Sequence, residues 1–485
     1  MKVTEGWRMK FSFINASPIE DLDKRKKNKS AAASFPPLGI LYLAAILKEK
    51  GIEVSVLDQA ADSFTIEETA RWVEKEDPDV LGFSTFASSG ATAALISNEV
   101  KKKNSNITTV FGNCYATFNS ERILRKYPSV DIIVRGEGED TVIDLVNCLR
   151  KKDKLKKVRG ITFRHKTSIV STLDRNLIKN LDSLPFPDRR LIDVEYHCMI
   201  VGANVAPKRF TSIVSSRGCV YRCRFCSCRK LARNVWRPRS ARNTLKELHF
   251  LASEGYRQFI FVDDSFTLDR KRVIKLCKGM RKEKLDMEWI CESRVDNCSR
   301  EMFQEIAKAG CRILYYGIES ANPRILKYYN KRITPQQSRT AVKTARKAGI
   351  DVIIGSFIVG APDETREEIQ NTIEFAEKIP IDFPQFNILR IFPGMDIWDE
   401  FEMKGLLKEG EHWETGIAVS DICPSAVPNH EIKQMTHEAF YHFIRRPSFI
   451  SKQIARTLKS TYRLETIINN VSRMSSIRES IRSSV

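Results

Sequence analysis

The sequence predicts an α/β protein made of two parallel-sheet units in series, closed by a helical tail. Three observations carry that reading. Short apolar strand patterns alternate with helix patterns over residues 9–150, the alternation resumes at residue 211, and after about residue 400 the pattern turns helical and loop-like. Such alternation builds parallel sheets covered by helices, because the crossover between parallel strands needs a helix-length connection.

In the first series, strand patterns fall at Lys10–Ala16, Glu53–Asp58, Asp79–Phe86, Thr108–Gly112 and Asp131–Gly136. Helix patterns lie near 38–50, 66–75, 90–104, 117–126 and 139–150. This predicts a doubly wound, Rossmann-like sheet as a domain over 9–150. Ligands of such sheets bind at the carboxyl ends of the strands. Those ends carry Asp58, Ser84, Thr85, Gly112, Asn113, Gly136, Glu137 and Gly138, all small or polar. The loop 19–36 is basic, then small and proline-ending, and reads as mobile. Residues 151–210 lack a clean period, and LDSLPFPDRR at 181–190 reads as an extended linker.

The second series has strand patterns at Thr211–Ser216, Gln258–Asp263, Trp289–Arg294, Ile313–Ile318, Val352–Val359 and Phe386–Ile391. Helix patterns near 241–254, 270–283, 300–309, 335–348 and 365–378 alternate with them. Six such units predict a partial (β/α)6 TIM-type barrel over 211–400, with its chemistry at the carboxyl ends of the strands. Residues 401–485 then form a helical extension with a basic tail. From Arg445 onward, nine Lys and Arg face two acids, Glu465 and Glu479. Ile467, Ile468, Val471, Met474, Ile477 and Ile481 recur as one helical stripe. That stripe fits a terminal helix docked on its own domain, or a helix lying on a membrane surface.

Composition bounds the function. Hydrophobic residues make up 42% and charged residues 29% of 485, as in folded soluble chains of two or three domains. The longest apolar run, Leu38–Leu47, is too short to span a bilayer, and the N-terminus shows no secretory signal, so the chain reads as cytoplasmic. A net charge of +20 points to an anionic partner or a well-solvated basic surface. Twelve cysteines are no disulfide framework here, since four crowd into 219–228 and the rest are scattered. Single cysteines such as Cys148, Cys277 and Cys311 read as small core residues.

The crowded segment is SSRGCVYRCRFCSCRK, residues 215–230, directly after the first barrel strand. Its C-x3-C-x2-C spacing puts Cys219, Cys223 and Cys226 on one short loop. Three thiolates can hold three irons of a cubane cluster and leave the fourth iron open to a small-molecule chelator. The rival is zinc with Cys228 as fourth ligand, but structural zinc pairs two separated knuckles and this sequence has no second one.

The spacing after a strand, with aromatic Phe225 before the last cysteine, resembles the radical S-adenosylmethionine (SAM) superfamily. PPLGILYLAAILKEKG, VRGEGEDTVIDL, LDSLPFPDR, FVDDSFT, ESRVD, YGIES and FIVGAPDET, in that order, resemble its branch with an N-terminal cobalamin-binding domain. The likeness covers roughly residues 10–445. It implies a [4Fe–4S] cluster on the three cysteines, SAM as co-substrate, and cobalamin. It also implies SAM-contacting roles near Phe225, Asp263, Arg294, Glu319, Phe357 and Gly360.

Each of these has a plainer reading. Glu319 is also a strand-end acid, and Arg294 also a salt-bridge partner for Asp296 or Glu292. Asp263 with Asp264 also suits a turn or a substrate, and 355–364 also suits a buried parallel strand. The cobalt-ligating DxHxxG motif is absent, and no histidine precedes His165. Relatives of this branch commonly bind cobalamin without such a histidine. The family's glycine-rich turn is replaced by Gly112-Asn113-Cys114-Tyr115-Ala116-Thr117.

The resemblance implies reductive cleavage of SAM to a 5′-deoxyadenosyl radical and methylation of an unactivated carbon. The alternatives are radical cyclisation, rearrangement or C–C coupling, with a lipid among the substrates considered, and a non-catalytic metal- or cobalamin-binding regulator. RNA modification fits poorly, because the N-terminal half lacks a second cysteine triad. Expected partners are a small-molecule or lipid substrate, a ferredoxin- or flavodoxin-type electron donor and an anionic membrane surface. Nucleic acid is not expected.

Overall fold

A computed structural model describes residues 9–18, 35–200, 202–407 and 425–482, with side chains described as far as Val471. The predicted loop 19–36 lies almost wholly outside the described residues, as do the side chains of Met474, Ile477 and Ile481. The chain divides into two compact units, Met1–Val194 with Ile391–Val419, and Glu195–Arg390 with Ser420–Val485.

The first unit holds a seven-stranded sheet of β1 (Lys10–Asn15), β2 (Glu53–Asp58), β3 (Val80–Ser84), β4 (Thr108–Gly112), β5 (Ile132–Val134), β6 (Ile161–His165) and β7 (Ser168–Ser171). Its order is β2-β1-β3-β4-β5-β6-β7. The first five strands pair in parallel, so the order reverses at β1 and β3, the crevice where open α/β sheets take ligands. Phe11, Val80, Val110 and Ile132 pack one face against Ile40, Ala44 and Leu145 of the covering helices.

Two expectations are corrected in this unit. Residues 151–210 are not simply a linker, because β6 and β7 extend the sheet as an antiparallel hairpin. The helix expected at 117–126 is two helices, Asn113–Phe118 and Ser120–Lys126. The break falls at Asn119, whose side-chain amide donates to the Tyr115 carbonyl at 3.0 Å and competes with helix continuation. A third boundary shifts as well: helix Asp396–Met403, divided in the sequence reading between the barrel to 400 and the tail from 401, belongs to this unit, with Arg122 paired to Glu402.

The second unit is a six-stranded, all-parallel sheet in chain order: β8 (Phe210–Ile213), β9 (Gln258–Phe261), β10 (Glu288–Arg294), β11 (Cys311–Glu319), β12 (Val352–Val359) and β13 (Phe383–Ile388). β8 and β13 do not pair, so the barrel is open. β13 starts three residues earlier than the apolar pattern implied. Pro384 sits inside it, tolerated because the strand is an edge. Helices between the strands start where the sequence caps them. Thr334 with Gln337 and Thr365 with Glu368 form capping boxes, the first followed by Pro335 at the first helical position. Trp289, Phe303, Tyr316 and Phe357 are buried in the core between sheet and helices.

At the amino end of β13, Asp382 is fully buried among three arginines. It pairs with Arg346, with Arg456 at 2.7 Å and with Arg463 at 2.8 Å, and accepts from the Ile353 N–H at 2.7 Å. Burial alone would raise this carboxyl, but Arg346, Arg463 and Arg456 hold it below its ordinary range. Arg456 and Arg463 come from helices Pro447–Thr457 and Thr461–Arg482, so one carboxylate fastens the C-terminal helices to the barrel base. The tail helix therefore docks on its own unit, but not through the described part of its apolar stripe. Tyr462, Arg463 and Asn470 make the contacts, while Ile467, Ile468 and Val471 are exposed.

Candidate functional site

The cysteine loop leaves β8 through a two-residue clasp, Ser216–Arg217 against Arg237–Pro238. Gly218 has φ +88°, and a Cβ there would fall 2.1 Å from the Val235 carbonyl oxygen, so the residue before Cys219 must be glycine. Its N–H donates to Asp264 at 2.8 Å, and the Cys226 N–H donates to the Cys223 carbonyl at 3.2 Å. Phe225 packs edge-on against Tyr329 at 5.1 Å, and the Arg224 N–H donates to the Tyr329 carbonyl at 3.0 Å. Backbone and aromatic contacts thus help fix the loop.

Cys219, Cys223 and Cys226 line a cavity of about 850 Å³ at the carboxyl ends of β9 to β13. Among the described residues, no three His, Cys, Asp or Glu side chains converge as they would on a single metal ion. Three thiols on one loop suit a cubane, in which each thiolate takes its own iron. Burial pushes the Cys219 and Cys223 thiols up. Cys228 donates to Cys226 and holds that thiol below its ordinary value.

The wall beside the cysteine loop is charged, and Arg294 reaches both the Cys223 sulfur at 3.6 Å and the Lys331 carbonyl at 2.7 Å. Glu319 and Lys331 are both buried and pair at 2.5 Å. Glu319 has φ +66°, at the point where the β11–β12 register shifts. A non-glycine residue held there is backbone strain of the kind found at binding sites. A Cβ on Gly317 would fall 2.6 Å from the Glu319 carboxylate and 2.9 Å from the Lys331 ammonium, so glycine makes room for the pair. Glu292 opens onto the same cavity, and burial, with Glu319 and Asp264 nearby, pushes its carboxyl up.

Of the residues expected from sequence, Phe225, Arg294 and Glu319 line the cavity with the three cysteines. Arg294 is not free for a bidentate grip on a carboxylate. Its fork is taken by Asp296 at 2.8 and 3.0 Å, and its remaining nitrogen lies 3.6 Å from the Cys223 sulfur. Asp263 does not line the cavity. It is buried, accepting from the Ser215 N–H and from the Ser215 and Ser216 hydroxyls, each at 2.6 Å, and Asp264 faces the cavity instead. The Phe357 ring is buried on the helix side of β12, while Ser356 and Ile358 face the cavity. Gly360 is not among the lining residues, and its N–H donates to Glu364 at 2.6 Å. Sequence reading missed Lys331 and Glu292. Glu292 had a signal, because it lies two residues before Arg294 on a strand and so on the same face.

In the first unit, the carboxyl edge is small and hydrogen-bonded. Asn15 donates to Asp58 at 3.1 Å, Asn113 donates to Ser84 at 3.0 Å, and Thr85 donates to the Gly112 carbonyl at 2.7 Å. A Cβ on Gly136 would meet nothing within 4 Å. His165 ends β6, which runs antiparallel, and so lies toward the opposite edge. The side chains at this edge are small and polar, and no histidine precedes His165, so the residues present suit a cobalamin held without an imidazole from this stretch.

The profile "Radical SAM superfamily" matches residues 213–376, and "B12 binding domain" matches residues 28–146. An uncharacterised methyltransferase of Pyrococcus horikoshii is 35% identical over 86% of this chain and 90% of its own length. The chain belongs to the radical SAM superfamily, in the branch with an N-terminal cobalamin-binding domain. A second relative is the anaerobic magnesium-protoporphyrin IX monomethyl ester cyclase of Cereibacter sphaeroides, 28% identical over 76% of this chain and 61% of that protein. The radical SAM methyltransferase TsrM of Kitasatospora setae, solved with cobalamin and a [4Fe–4S] cluster, shares the fold. Its TM-score is 0.65 at 16% identity, covering 82% of this chain and 75% of that one. The cofactors of this radical SAM enzyme are therefore a [4Fe–4S] cluster, SAM and cobalamin.

Proposed function

We propose that this enzyme methylates an unactivated carbon of a small molecule or lipid, with the loop cysteines and the charged wall forming the reaction chamber. When bound, the cluster and SAM supply reductive cleavage to a 5′-deoxyadenosyl radical, and cobalamin supplies a methyl carrier. Cys219, Cys223 and Cys226 hold the cluster. Asp264, Glu292 and Glu319 orient the cationic groups of SAM, and Lys331 its carboxylate. The observation that carries the reading is one cavity lined both by three thiols and by a buried Glu319–Lys331 pair, with Glu319 at positive φ.

The test is anaerobic purification, assay of iron, sulfide and cobalamin, then turnover with methyl-labelled SAM on a metabolite and lipid extract from a deletion strain. Label in a new product supports methylation. An unlabelled ring-closed product supports cyclisation instead, the activity named in the Cereibacter relative.

An anionic membrane contact has support from exposed Ile450, Ile454, Leu458, Ile467, Ile468 and Val471 on the two C-terminal helices. Lys452 and Lys459 accompany them, and among the described residues no helix is long and apolar enough to cross a bilayer. Co-flotation with phosphatidylglycerol vesicles, lost in Ile454→Glu/Ile468→Glu, checks this.

A further inference from the structure

The cavity that holds the three thiols is sorted by charge. Its carboxylates, Asp264, Glu292 and Glu319, stand after β9, on β10 and at the end of β11. The side built by β12 and β13 contributes no acid to the lining, and it carries Arg390, just past the end of β13. Four cations line the cavity: Arg229, Arg294, Lys331 and Arg390. Arg294 is paired with Asp296 and Lys331 with Glu319, and Arg229 is engaged as well. Arg390 is exposed and has no hydrogen bond or ion pair among the described residues. The rest of this side is neutral. Register sets Gln385 next to Ser356, and Ser356 next to Gly317. Asn387 donates to the Ser356 hydroxyl at 3.1 Å, which leaves the Ser356 proton for a ligand. With no side chain on Gly317, the cavity reaches past it to Tyr315, one step deeper on the same strand face. The Tyr315 hydroxyl has no partner among the described residues.

We propose that the β12–β13 side is the subsite for a carboxylate or phosphate group on the molecule that is methylated, with Arg390 as its counter-charge; this rests on the methylation reading above. An unactivated carbon offers its enzyme no handle, so a remote group of the substrate must supply the binding energy that positions it. A guanidinium presents paired N–H donors that match the oxygens of a carboxylate or phosphate. The Gln385 amide and the Ser356 and Tyr315 hydroxyls add neutral donors on the same cavity. The acids on the other strands repel such a group, so the cavity sorts its two ligands by charge. The sulfonium cofactor goes toward Asp264, Glu292 and Glu319, and the anionic substrate toward Arg390. A soluble phosphorylated or carboxylated metabolite and an acidic lipid headgroup present this same chemistry.

The experiment uses the anaerobic holoenzyme with the variants Arg390→Gln and Arg390→Lys. Inorganic phosphate is titrated by calorimetry into the unreduced, SAM-loaded proteins. Separately, an extract of the deletion strain is divided into anionic water-soluble, neutral water-soluble and lipid fractions, and each is turned over with methyl-labelled SAM. SAM affinity and bound cobalamin are measured alongside. The expectation is that phosphate binds the wild type, roughly tenfold or more weakly in Arg390→Gln, as for loss of a charge-assisted hydrogen bond, with part recovered in Arg390→Lys. KM for the labelled fraction should rise by a similar factor, with a much smaller change in kcat. Label in an anionic water-soluble product identifies a metabolite, and label in an acidic lipid identifies a headgroup; either supports the subsite. A neutral labelled product would overturn it, as would equal phosphate affinity in wild type and Arg390→Gln. So would a comparable loss of SAM affinity or cobalamin in Arg390→Gln, which would assign the guanidinium to a cofactor. A wild type that cleaves SAM but labels no product sinks the methylation reading instead, and the phosphate titration still decides the subsite.

Discussion

The two ends of the barrel use buried charge in opposite ways. At the base, Asp382 is saturated: three guanidinium groups and a backbone N–H surround one carboxylate that no solvent reaches. At the top, Glu319 and Lys331 are also buried, yet they face an open cavity together with Glu292 and Asp264. A fully satisfied ionic cluster is structural, because removing a partner strands charge in protein. A charged pair that opens onto a cavity is reserved for a ligand. Saturation, rather than burial, separates the two.

That contrast can be broken most sharply at the loop. Cys223→Ala should remove most cluster iron and reduce SAM cleavage to background, with the near-400 nm absorbance lost. Next, Glu319→Gln should weaken SAM binding by about 10–100-fold, the worth of a charge-assisted hydrogen bond, while lowering the melting temperature little. Asp382→Asn should do the reverse, costing about 3–5 kcal/mol of stability by denaturant unfolding with SAM affinity nearly intact in the folded fraction. If both variants lost stability equally, the distinction would fail.

The smallest effect is at Glu364, whose carboxyl burial raises to about 7 while it accepts from the Gly360 and Ala361 N–H groups. A carboxyl raised on folding binds its proton more tightly in the folded state. Its stabilisation is therefore present at low pH and is lost as pH rises from its unfolded value of 4.5 through about 7. Glu364→Gln should flatten that decline in melting temperature across the same window.

Strand and helix succession was legible because both sheets follow a plain alternation. The β6–β7 hairpin was not, because its turn uses Lys166 at φ +54° where the usual signal is Asn or Gly. The cysteine loop announced itself by spacing, and Glu319 by its place at a strand end. Asp263 and Asp264 could not be told apart, since β9 ends at Phe261 and strand alternation no longer says which carboxylate faces inward. Lys331 left no pattern at all. It lies 12 residues beyond Glu319 and returns to it only through the short helix Pro323–Tyr328. Arg294 lines the cavity, and which of its two sequence readings holds, a free fork or a pair with Asp296, is decided by side-chain geometry that a sequence leaves open.

The fastening at Asp382 also sets an order of events during synthesis. The aspartate leaves the ribosome long before Arg456 and Arg463, so two of its three counter-charges arrive only with the last helices. Until then the base of the second unit carries a carboxylate short of partners. A chain cut before residue 456 should therefore keep Arg346 alone of the three arginines on Asp382 and melt at a lower temperature.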